Sequence, residues 1–236
     1  MERETMQIAL IGIGKIANYQ MQAITHTPGI KLVDAHDLDL NKAEELPGSV
    51  QFHENLEKML QKSKADAFLV STPTYSHFEV AMRVIESDRI AIVEKPLCTS
   101  QSEMDALITA ARTRKLPLYT AFHPAYGREV DWWREQRNSH NFDLGKLLGL
   151  NTCFADPYYI DGKLTLGAVG KAGAWTDSGA SGLSALSRLI EPDSMKLLDG
   201  RMTVIPSLDC DQVQGLGIYK FVEQGMTCYG MIDTNW

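Results

Sequence analysis

The sequence predicts an α/β protein in which a doubly wound parallel sheet of the Rossmann type is followed by a smaller α+β sheet domain. From Gln7 to about Phe122, short β-rich runs alternate with amphipathic helical stretches. This pattern is typical of parallel strands whose connecting helices cover both faces of the sheet. After Phe122 the alternation stops and hairpin-like runs follow. We therefore expect a first domain over residues 1–122 and a second, incomplete one over residues 123–236.

Each element of the first domain has its own local signal. The strands are short β-branched or aliphatic runs, and the helices carry apolar residues three and four positions apart. The expected strands are Ile8–Ile11, Lys31–His36, Ala67–Ser71, Ile90–Glu94 and Leu118–Phe122. The expected helices are Ile16–His26, Leu56–Gln61, Phe78–Glu86 and Gln101–Arg112. The last helix is the best specified, because Ser100 and Glu103 form a capping box ahead of one apolar face.

The second domain has fewer regular signals. The Trp132-Trp133 segment is helix-like, and a glycine-rich passage runs from Gly162 to Gly182. Tyr219–Val222 and Cys228–Ile232 have the composition of two strands, and the turn Glu223–Gly225 between them predicts a hairpin.

Charge and cysteine content exclude several classes of partner. The 236 residues carry a formal net charge of −7 and no basic cluster, so a nucleic acid partner is not expected. The four cysteines, including Cys210, form no Cys-x-x-Cys pair and have no His at metal-ligand spacing, which predicts reduced thiols and no metal site. The sequence shows neither a secretion signal nor an apolar stretch of membrane-spanning length, so we expect a cytoplasmic protein.

A Gly-x-Gly-x-x-Ala turn joins the first strand to the first helix. There Gly12 permits a tight turn, Gly14 lets the backbone approach a phosphate, and Ala17 lets helix and strand pack closely. The first N–H groups of the helix, at Lys15 and Ile16, would point at an anion. This pattern binds the pyrophosphate of a dinucleotide cofactor, although glycines at such a junction can also serve turning and packing alone.

The second strand ends in an acid, where a dinucleotide-binding βαβ unit places its ribose-binding carboxylate. The run Lys31–Asp37 follows the glycine turn at βαβ spacing, which makes Asp37 the candidate acceptor for the ribose hydroxyls. A carboxylate there repels a 2′-phosphate, so we favour NAD and keep NADP as an alternative. The neighbouring Asp34 and Asp39 leave the register open, and Asp37 could instead be a solvated turn residue.

Two further motifs lie at strand ends. Ser71–Pro73 with His77 follows the third strand, and Glu94–Pro96 follows the fourth. Open α/β sheets bind ligands at this edge, and the prolines turn the chain out of the ladder. A lysine beside a cationic nicotinamide is biased toward its neutral amine, which can exchange a proton with a substrate hydroxyl. Without these neighbours Lys95 would be interpreted as a surface partner of Glu94.

The three motifs, in this order and spacing, resemble those of the Gfo/Idh/MocA family of NAD(P)-dependent oxidoreductases, and the Glu-Lys-Pro triplet is the most specific of them. The resemblance continues at Leu144–Leu147, which matches the family's entry into its sheet domain, and at Ala174–Gly179, which matches its glycine-rich Asp motif. It implies a set of cofactor-binding residues, namely Gly12, Gly14, Lys15, Ile16, Asp37, Ser71, Thr72, Pro73, His77, Glu94 and Lys95.

Family members carry Asp-x-Gly-x-His in the second motif, where the Asp and the His bind substrate and transfer a proton. Asp177 matches the first position, and Ser181 stands where the family has His. A serine hydroxyl does not act as a base at neutral pH without activation. The run Asp177–Ser184 is similar to the Asp-x-Gly-x-Asn-x-Leu-Ser variant of the aldose 1-dehydrogenases that act on galactose or arabinose. In that branch the anomeric hydroxyl is more acidic, so Lys95 and Asp177 would suffice.

The resemblance implies hydride transfer between a nicotinamide cofactor and a CH–OH group of a sugar or polyol. Lys95 would orient the hydroxyl and take its proton, and Asp177 would fix a neighbouring hydroxyl or act as the base. These roles require the two side chains to converge. The candidate substrate-binding residues are Lys95, His123, Trp175, Asp177 and Ser181. Two of them have simpler interpretations, since His123 could be hydrogen-bonded near the surface and Trp175 could be core packing.

Two other functions stay open at this point. One is a catalytically silent NAD-binding sensor or regulatory protein on the same scaffold, suggested by Ser181. The other is dehydratase or glycosidase chemistry that uses NAD transiently. The resemblance also implies a homo-oligomer formed through the open face of the second-domain sheet, because an exposed apolar face needs covering.

Overall fold

The chain divides between Ala121 and Phe122 into two units, and each unit has its own sheet. The computed structural model describes residues 5–139, 145–165, 173–205 and 212–236. Leu144, Cys210 and the middle of the glycine-rich passage, residues 166–172, lie outside the described residues. No helix in the described ranges is long and apolar enough to cross a membrane.

The first unit is a sheet of six parallel strands with helices on both faces. Its strands are β1 (Met6–Ile11), β2 (Ile30–His36), β3 (Gln51–His53), β4 (Ala67–Val70), β5 (Ile90–Glu94) and β6 (Leu118–Ala121). Its helices are α1 (Lys15–His26), α2 (Leu56–Lys62), α3 (His77–Glu86) and α4 (Gln101–Arg114). The strand order is β3-β2-β1-β4-β5-β6, which confirms the expected Rossmann-type fold.

The period of two along the strands builds two cores. In β1, Ile8 and Leu10 belong to one buried cluster, and Ala9 and Ile11 belong to the other. The first cluster lies under α1, and the second lies under α2, α3 and α4. Because successive side chains of a strand point to opposite faces, an unbroken apolar strand requires cover on both sides.

Most observed element boundaries lie within two residues of those expected from the sequence. One strand, β3, was missed. The short β3 pairs with β2 through only three residues, too few to show an alternating pattern. The capping box at Ser100 and Glu103 is confirmed. The apolar face of α4 is less deeply packed than expected, because Leu107 and Ala111 are buried while Met104 and Ile108 are half-buried.

The second unit combines helices with a mixed sheet. Its elements are α5 (Arg128–Asn138), β7 (Gly149–Ala155), β8 (Tyr159–Ile160), β9 (Lys163–Leu164), α6 (Ala180–Leu189), β10 (Lys196–Val204), β11 (Gln212–Glu223) and β12 (Met226–Asn235). In the described ranges the larger sheet has the order β10-β11-β12-β7, with β7 parallel to β12 and the other pairs antiparallel. The predicted hairpin is β11 and β12, and its turn is tighter than expected because Glu223 belongs to β11, which leaves Gln224 and Gly225, both with positive φ, as the loop.

The strands β11 and β12 are buried on one face, whereas β10 is exposed along its whole length. Leu186 and Ile190 pack against Tyr219 and Phe221 in the buried cluster on the inner face. Apolar side chains also stand on exposed positions of the strands, namely Leu197, Met202, Val204, Ile218, Val222 and Tyr229.

Candidate functional site

Gly12 is held tightly between the ends of β2 and β4, the two strands that flank β1. Its φ is +92°, and its N–H donates to His36 O at 2.8 Å. A Cβ at this position would lie 2.8 Å from the carbonyl carbon and oxygen of Ser71 and 2.9 Å from the nitrogen of Thr72. Only glycine fits this conformation and this space, so the first glycine of the motif is required by the turn itself.

Gly14 is packed quite differently, although it lies only two residues further on. It is the N-cap of α1, it offers no side-chain cap, and the first turn of the helix carries no acid. A Cβ at Gly14 would meet no atom within 4 Å. The N–H groups of the first helical turn, at Lys15 and Ile16, have no acceptor within the helix, and the helix dipole favours an anion there. This open glycine and the adjacent helix end fit the pyrophosphate of a dinucleotide.

Asp37 follows β2 and closes the glycine turn. Its Oδ2 accepts a hydrogen bond from Ile13 N at 2.6 Å, and its Oδ1 accepts one from Asp39 N at 2.8 Å. The two rival acids are engaged elsewhere. Buried Asp34 contacts His53 Nε2 at 2.5 Å, and Asp39 accepts from Asn41 N at the start of a short 3-10 helix. Asp37 is therefore the acid of this group that contacts the glycine turn.

The segment after β4 forms the next part of this edge. Ser71 is buried, and its N–H donates to Ile11 O at 2.7 Å, so it extends the ladder by one residue. Thr72 Oγ1 accepts a hydrogen bond from Ser76 at 2.9 Å across Pro73. Residues 71–73 are thus held in a fixed conformation directly against the glycine turn.

His77 connects this segment to the Glu-Lys-Pro motif. It is fully buried at the start of α3, with Nε2 2.8 Å from Thr72 O and Nδ1 2.7 Å from Pro96 O. One imidazole therefore bridges the main chains that follow β4 and β5. A neutral imidazole has one N–H and can donate to one of these carbonyls while its other nitrogen contacts the second, which is a physical reason for a histidine five residues after Thr72.

The Glu-Lys-Pro motif lies at the end of β5. The Glu94 side chain is buried, and its Oε2 accepts a hydrogen bond from Lys95 N at 3.2 Å. Lys95 is half-buried, and the Lys95–Pro96 peptide bond is cis. Cys98 comes two residues later, and burial raises the pKa of its thiol, so it is poorly suited to act as a nucleophile.

Gln20 is a member of this site that sequence reasoning missed. It is buried on α1, its Nε2 donates to Glu94 Oε1 at 2.5 Å, and its Oε1 accepts from Ser71 Oγ at 2.6 Å. A signal was available, because Gln20 lies three residues after buried Ala17 and so falls on the inner face of the helix. A polar side chain at such a position indicates a buried hydrogen-bond partner.

The predicted residues of the first unit are thus joined by direct contacts. Asp37 touches the glycine turn, the turn touches Ser71, Ser71 and Glu94 share Gln20, and His77 spans the two strand ends. All of them belong to the carboxyl edge of the parallel sheet, where open α/β sheets bind ligands.

In the second unit, Asp177 lies on a π-helical segment, Trp175–Gly179, that leads into α6. Asp177 is 4% exposed, and its N–H donates to Gly173 O at 2.9 Å. Its neighbour Ser178 donates to Asp156 Oδ2 at 2.6 Å. Single-turn π segments within α-helices are frequent at functional sites.

The remaining candidates of the second unit have structural partners. Ser181 is buried, and its hydroxyl donates to Asp177 O at 3.4 Å. The Trp175 indole packs so closely on β11 that a Cβ at Gly215 or Gly217 would lie within 2.8 Å of it. Core packing therefore accounts for the position of Trp175. His123 is exposed in a 3-10 turn that packs against α6. In the described part of the chain, no three His, Cys, Asp or Glu side chains are grouped as a metal ion would need.

The fold and the glycine turn define a dinucleotide-binding Rossmann protein. Residues 6–122 match the GFO_IDH_MocA model, which describes an oxidoreductase family with an NAD-binding Rossmann fold. The chain belongs to this Gfo/Idh/MocA family, and its cofactor class is NAD(P).

Three comparisons illustrate the relationship. The chain is 30% identical over 137 residues to scyllo-inositol 2-dehydrogenase (NAD(+)) of Bacillus subtilis, a match that covers 53% of this chain and 40% of that protein. It is 27% identical over 128 residues to a glycosyl hydrolase family 109 protein of Shewanella pealeana, covering 48% of this chain and 27% of that protein. The crystal structure of GenD2 from gentamicin A biosynthesis, in complex with NAD, superposes with a TM-score of 0.82 at 21% identity, covering 99% of this chain and 66% of that one. The chain thus spans less than half of these two curated relatives.

Proposed function

We propose that this protein is an NAD(P)-dependent oxidoreductase that transfers a hydride between the nicotinamide cofactor and a CH–OH group of a sugar or polyol. The observation that carries the proposal is the connected set at the carboxyl edge of the first sheet, in which the glycine turn, Asp37, Ser71 and Glu94 are linked by contacts and Lys95 follows directly. The names of the relatives support the substrate class, because one is an inositol dehydrogenase.

The residues of the first unit would hold the cofactor. The backbone at Gly12, Gly14, Lys15 and Ile16 would bind the pyrophosphate, and Asp37 would bind the adenine-side ribose. The segments Ser71–His77 and Glu94–Lys95 would contact the nicotinamide half. Bound there, the nicotinamide supplies or accepts the hydride. We favour NAD over NADP, since the Asp37 carboxylate would lie against a 2′-phosphate.

Lys95 and Asp177 would carry the proton chemistry. Lys95 would orient the reacting hydroxyl and exchange its proton, and Asp177 would fix a neighbouring hydroxyl or act as the base. Ser181 would bind substrate by accepting a hydrogen bond and would not act as a base, because its hydroxyl proton is donated to Asp177 O. His123 would contribute to substrate binding, and so would the accessible part of the half-buried Trp175 ring, whose remainder packs on β11.

Within this class we propose an aldose 1-dehydrogenase. Ser181, like the Asn of that branch, is uncharged, and an anomeric hydroxyl is acidic enough to need no imidazole base. We also propose a cytoplasmic homo-oligomer. The exposed apolar strand residues around Ile218 and Tyr229 support the oligomer, and the free thiols of Cys98, Cys153 and Cys228 support the cytoplasm.

A screen of aldoses and polyols with NAD and NADP, followed by the absorbance of the reduced cofactor, tests the proposal. For a substrate that turns over, Lys95→Met should lower kcat by two to four decades, the usual range of about 10²–10⁴ for a lost acid–base group, while NADH affinity stays close to that of the wild type. Lys64→Met is the matched control, because Lys64 is exposed ahead of the opposite, amino end of β4. Equal kcat values for the two variants would refute the role of Lys95.

The replacement of His by Ser181 also favours a second candidate, a silent NAD-binding sensor. Tight NADH binding without turnover of any sugar or polyol, in a chain whose fold is intact, would support the sensor and reject the dehydrogenase. The family 109 relative favours a third, hydrolase or dehydratase chemistry that uses NAD transiently. Stoichiometric accumulation of NADH would argue against it, because transient use returns the cofactor to its starting state.

A further inference from the structure

A buried hydrogen-bonded chain links the helix at the glycine turn to the Glu-Lys-Pro motif. Ser71 Oγ donates to Gln20 Oε1 at 2.6 Å, and Gln20 Nε2 donates to Glu94 Oε1 at 2.5 Å. The second oxygen of that carboxylate accepts from Lys95 N at 3.2 Å. Gln20, Ser71 and Glu94 are each no more than 7% exposed.

The direction of each bond follows from what the groups can do. A carboxylate carries no proton and only accepts hydrogen bonds, so Gln20 must present its NH₂ group to Glu94. The amide oxygen then faces Ser71, whose hydroxyl can donate to it. A glutamine is one of the few side chains that can donate and accept at once across this distance without adding a charge. Replacement by an apolar residue would leave two buried polar groups without this partner.

The chain crosses three elements that meet at the cofactor edge. Gln20 is on α1, whose first turn follows Gly14, whereas Ser71 follows β4 and Glu94 ends β5. The main-chain N–H of Lys95 is tied to the same carboxylate. The position of Glu94, and with it the start of the Lys95 segment, is therefore set by a side chain from the helix that begins at the glycine turn.

We propose that Gln20 is a positioning residue, which holds the Glu94 carboxylate and through it the main chain of Lys95 in the orientation needed to bind the nicotinamide half of the cofactor. This inference rests on the proposed function only in assigning Glu94 and Lys95 to cofactor binding. It does not depend on the identity of the substrate.

The test introduces a second carboxylate at position 20. In Gln20→Glu, the new carboxyl group would face the Glu94 carboxyl group at hydrogen-bond distance. At low pH one shared proton can join the two groups, whereas at higher pH both ionise and repel each other. The affinity for NADH, measured by its fluorescence, should fall as the pH rises from about 6 to about 9. This loss of affinity should be about tenfold larger in Gln20→Glu than in the wild type. The other titratable groups on the adjoining segments, Lys95 and His77, are unchanged in the variant, and their contribution is common to both proteins.

Two further variants separate positioning from packing. Gln22→Glu places the same charge on the same helix at an exposed position, and its pH profile should follow the wild type. In Gln20→Glu combined with Glu94→Gln, the amide at 94 can donate to the carboxylate at 20, and Ser71 can still donate to that carboxylate. The extra pH dependence should therefore disappear in the double variant, and the two losses of affinity should not add.

Each outcome decides the question. The proposal would be overturned if the pH dependence of NADH affinity in Gln20→Glu matched that in Gln22→Glu. It would also be overturned if the double variant kept the extra pH dependence. If Gln20→Glu does not fold, as judged by circular dichroism, Gln20→Met removes both hydrogen bonds at similar length. Its folded form should bind NADH about tenfold more weakly, and unchanged affinity would reject the positioning role. Because the readout is NADH binding, an absence of sugar turnover would refute the proposed substrate and leave this inference standing.

Discussion

The two glycines of the nucleotide turn should respond in opposite ways to the same substitution. In Gly12→Ala, the new Cβ would lie 2.8 Å from the carbonyl carbon and oxygen of Ser71, at a backbone φ of +92°. The strained backbone conformation costs about 1–3 kcal/mol, and overpacking a filled site costs about 1–3 kcal/mol more. The colliding atoms are main-chain atoms, so no flexible side chain can move away. We expect a loss of about 2–6 kcal/mol in the free energy of unfolding.

Gly14→Ala is the matched control. Its Cβ would meet nothing within 4 Å, and its φ of −88° is open to any residue. The stability cost should be about 1 kcal/mol or less, the usual difference between glycine and alanine at an N-cap. The Cβ would instead occupy the open space at the helix end, where a pyrophosphate would bind. Affinity for NADH should therefore fall by about tenfold or more, as expected for weakened hydrogen bonds to a charged group.

Urea denaturation and NADH fluorescence titration of both variants measure the two effects separately. The midpoint should move for Gly12→Ala far more than for Gly14→Ala, and the affinity of folded Gly14→Ala should drop. A Gly12→Ala midpoint equal to that of the wild type would contradict the close packing of the turn against Ser71. Wild-type affinity in Gly14→Ala would contradict the assignment of the helix end as the phosphate site.

Three further predictions use other parts of the structure. Asp37→Ala should reduce the preference for NAD over NADP by roughly tenfold, since a like-charge contact with the 2′-phosphate is removed; an unchanged ratio of the two dissociation constants would reject the ribose assignment. His77→Ala should lower the free energy of unfolding by about 2–4 kcal/mol, because it deletes a buried side chain and the hydrogen bond that it donates to a part-buried carbonyl, whereas exposed His26→Ala should cost less than about 1 kcal/mol; similar denaturant midpoints would contradict the bridge. Burial raises the pKa of Tyr219 to about 12, so the folded state resists its ionisation and stability should decline as the pH rises from about 10 toward 12. Tyr219→Phe should show a shallower alkaline decline in stability, and an equal decline would contradict the shift.

The first unit follows closely from the sequence because its signals are local and repeated. An apolar strand, a glycine turn and an amphipathic helix each have a period that a short window can show, and β1 to α1 is the clearest case. The strand β3 could not be found in this way, since its three residues depend on the edge of β2 for their pairing. The sequence also could not tell which of Asp34, Asp37 and Asp39 is the ribose-binding candidate. The three acids lie within six residues and differ only in their hydrogen-bond partners, which the sequence does not show.

The candidate site shows the same division between local and long-range information. Gly12, Asp37, Ser71 and Lys95 are each visible because a turn or a strand end marks their position. Gln20 has no such marker, since its two partners are 51 and 74 residues away in sequence. Helical periodicity can place a polar residue on a buried face, but it cannot say which acceptor that residue meets. A buried glutamine on a helix that begins at a phosphate-binding turn should therefore be examined as part of the site, because its partners are the groups at the ends of the neighbouring strands and these same strand ends face the ligand.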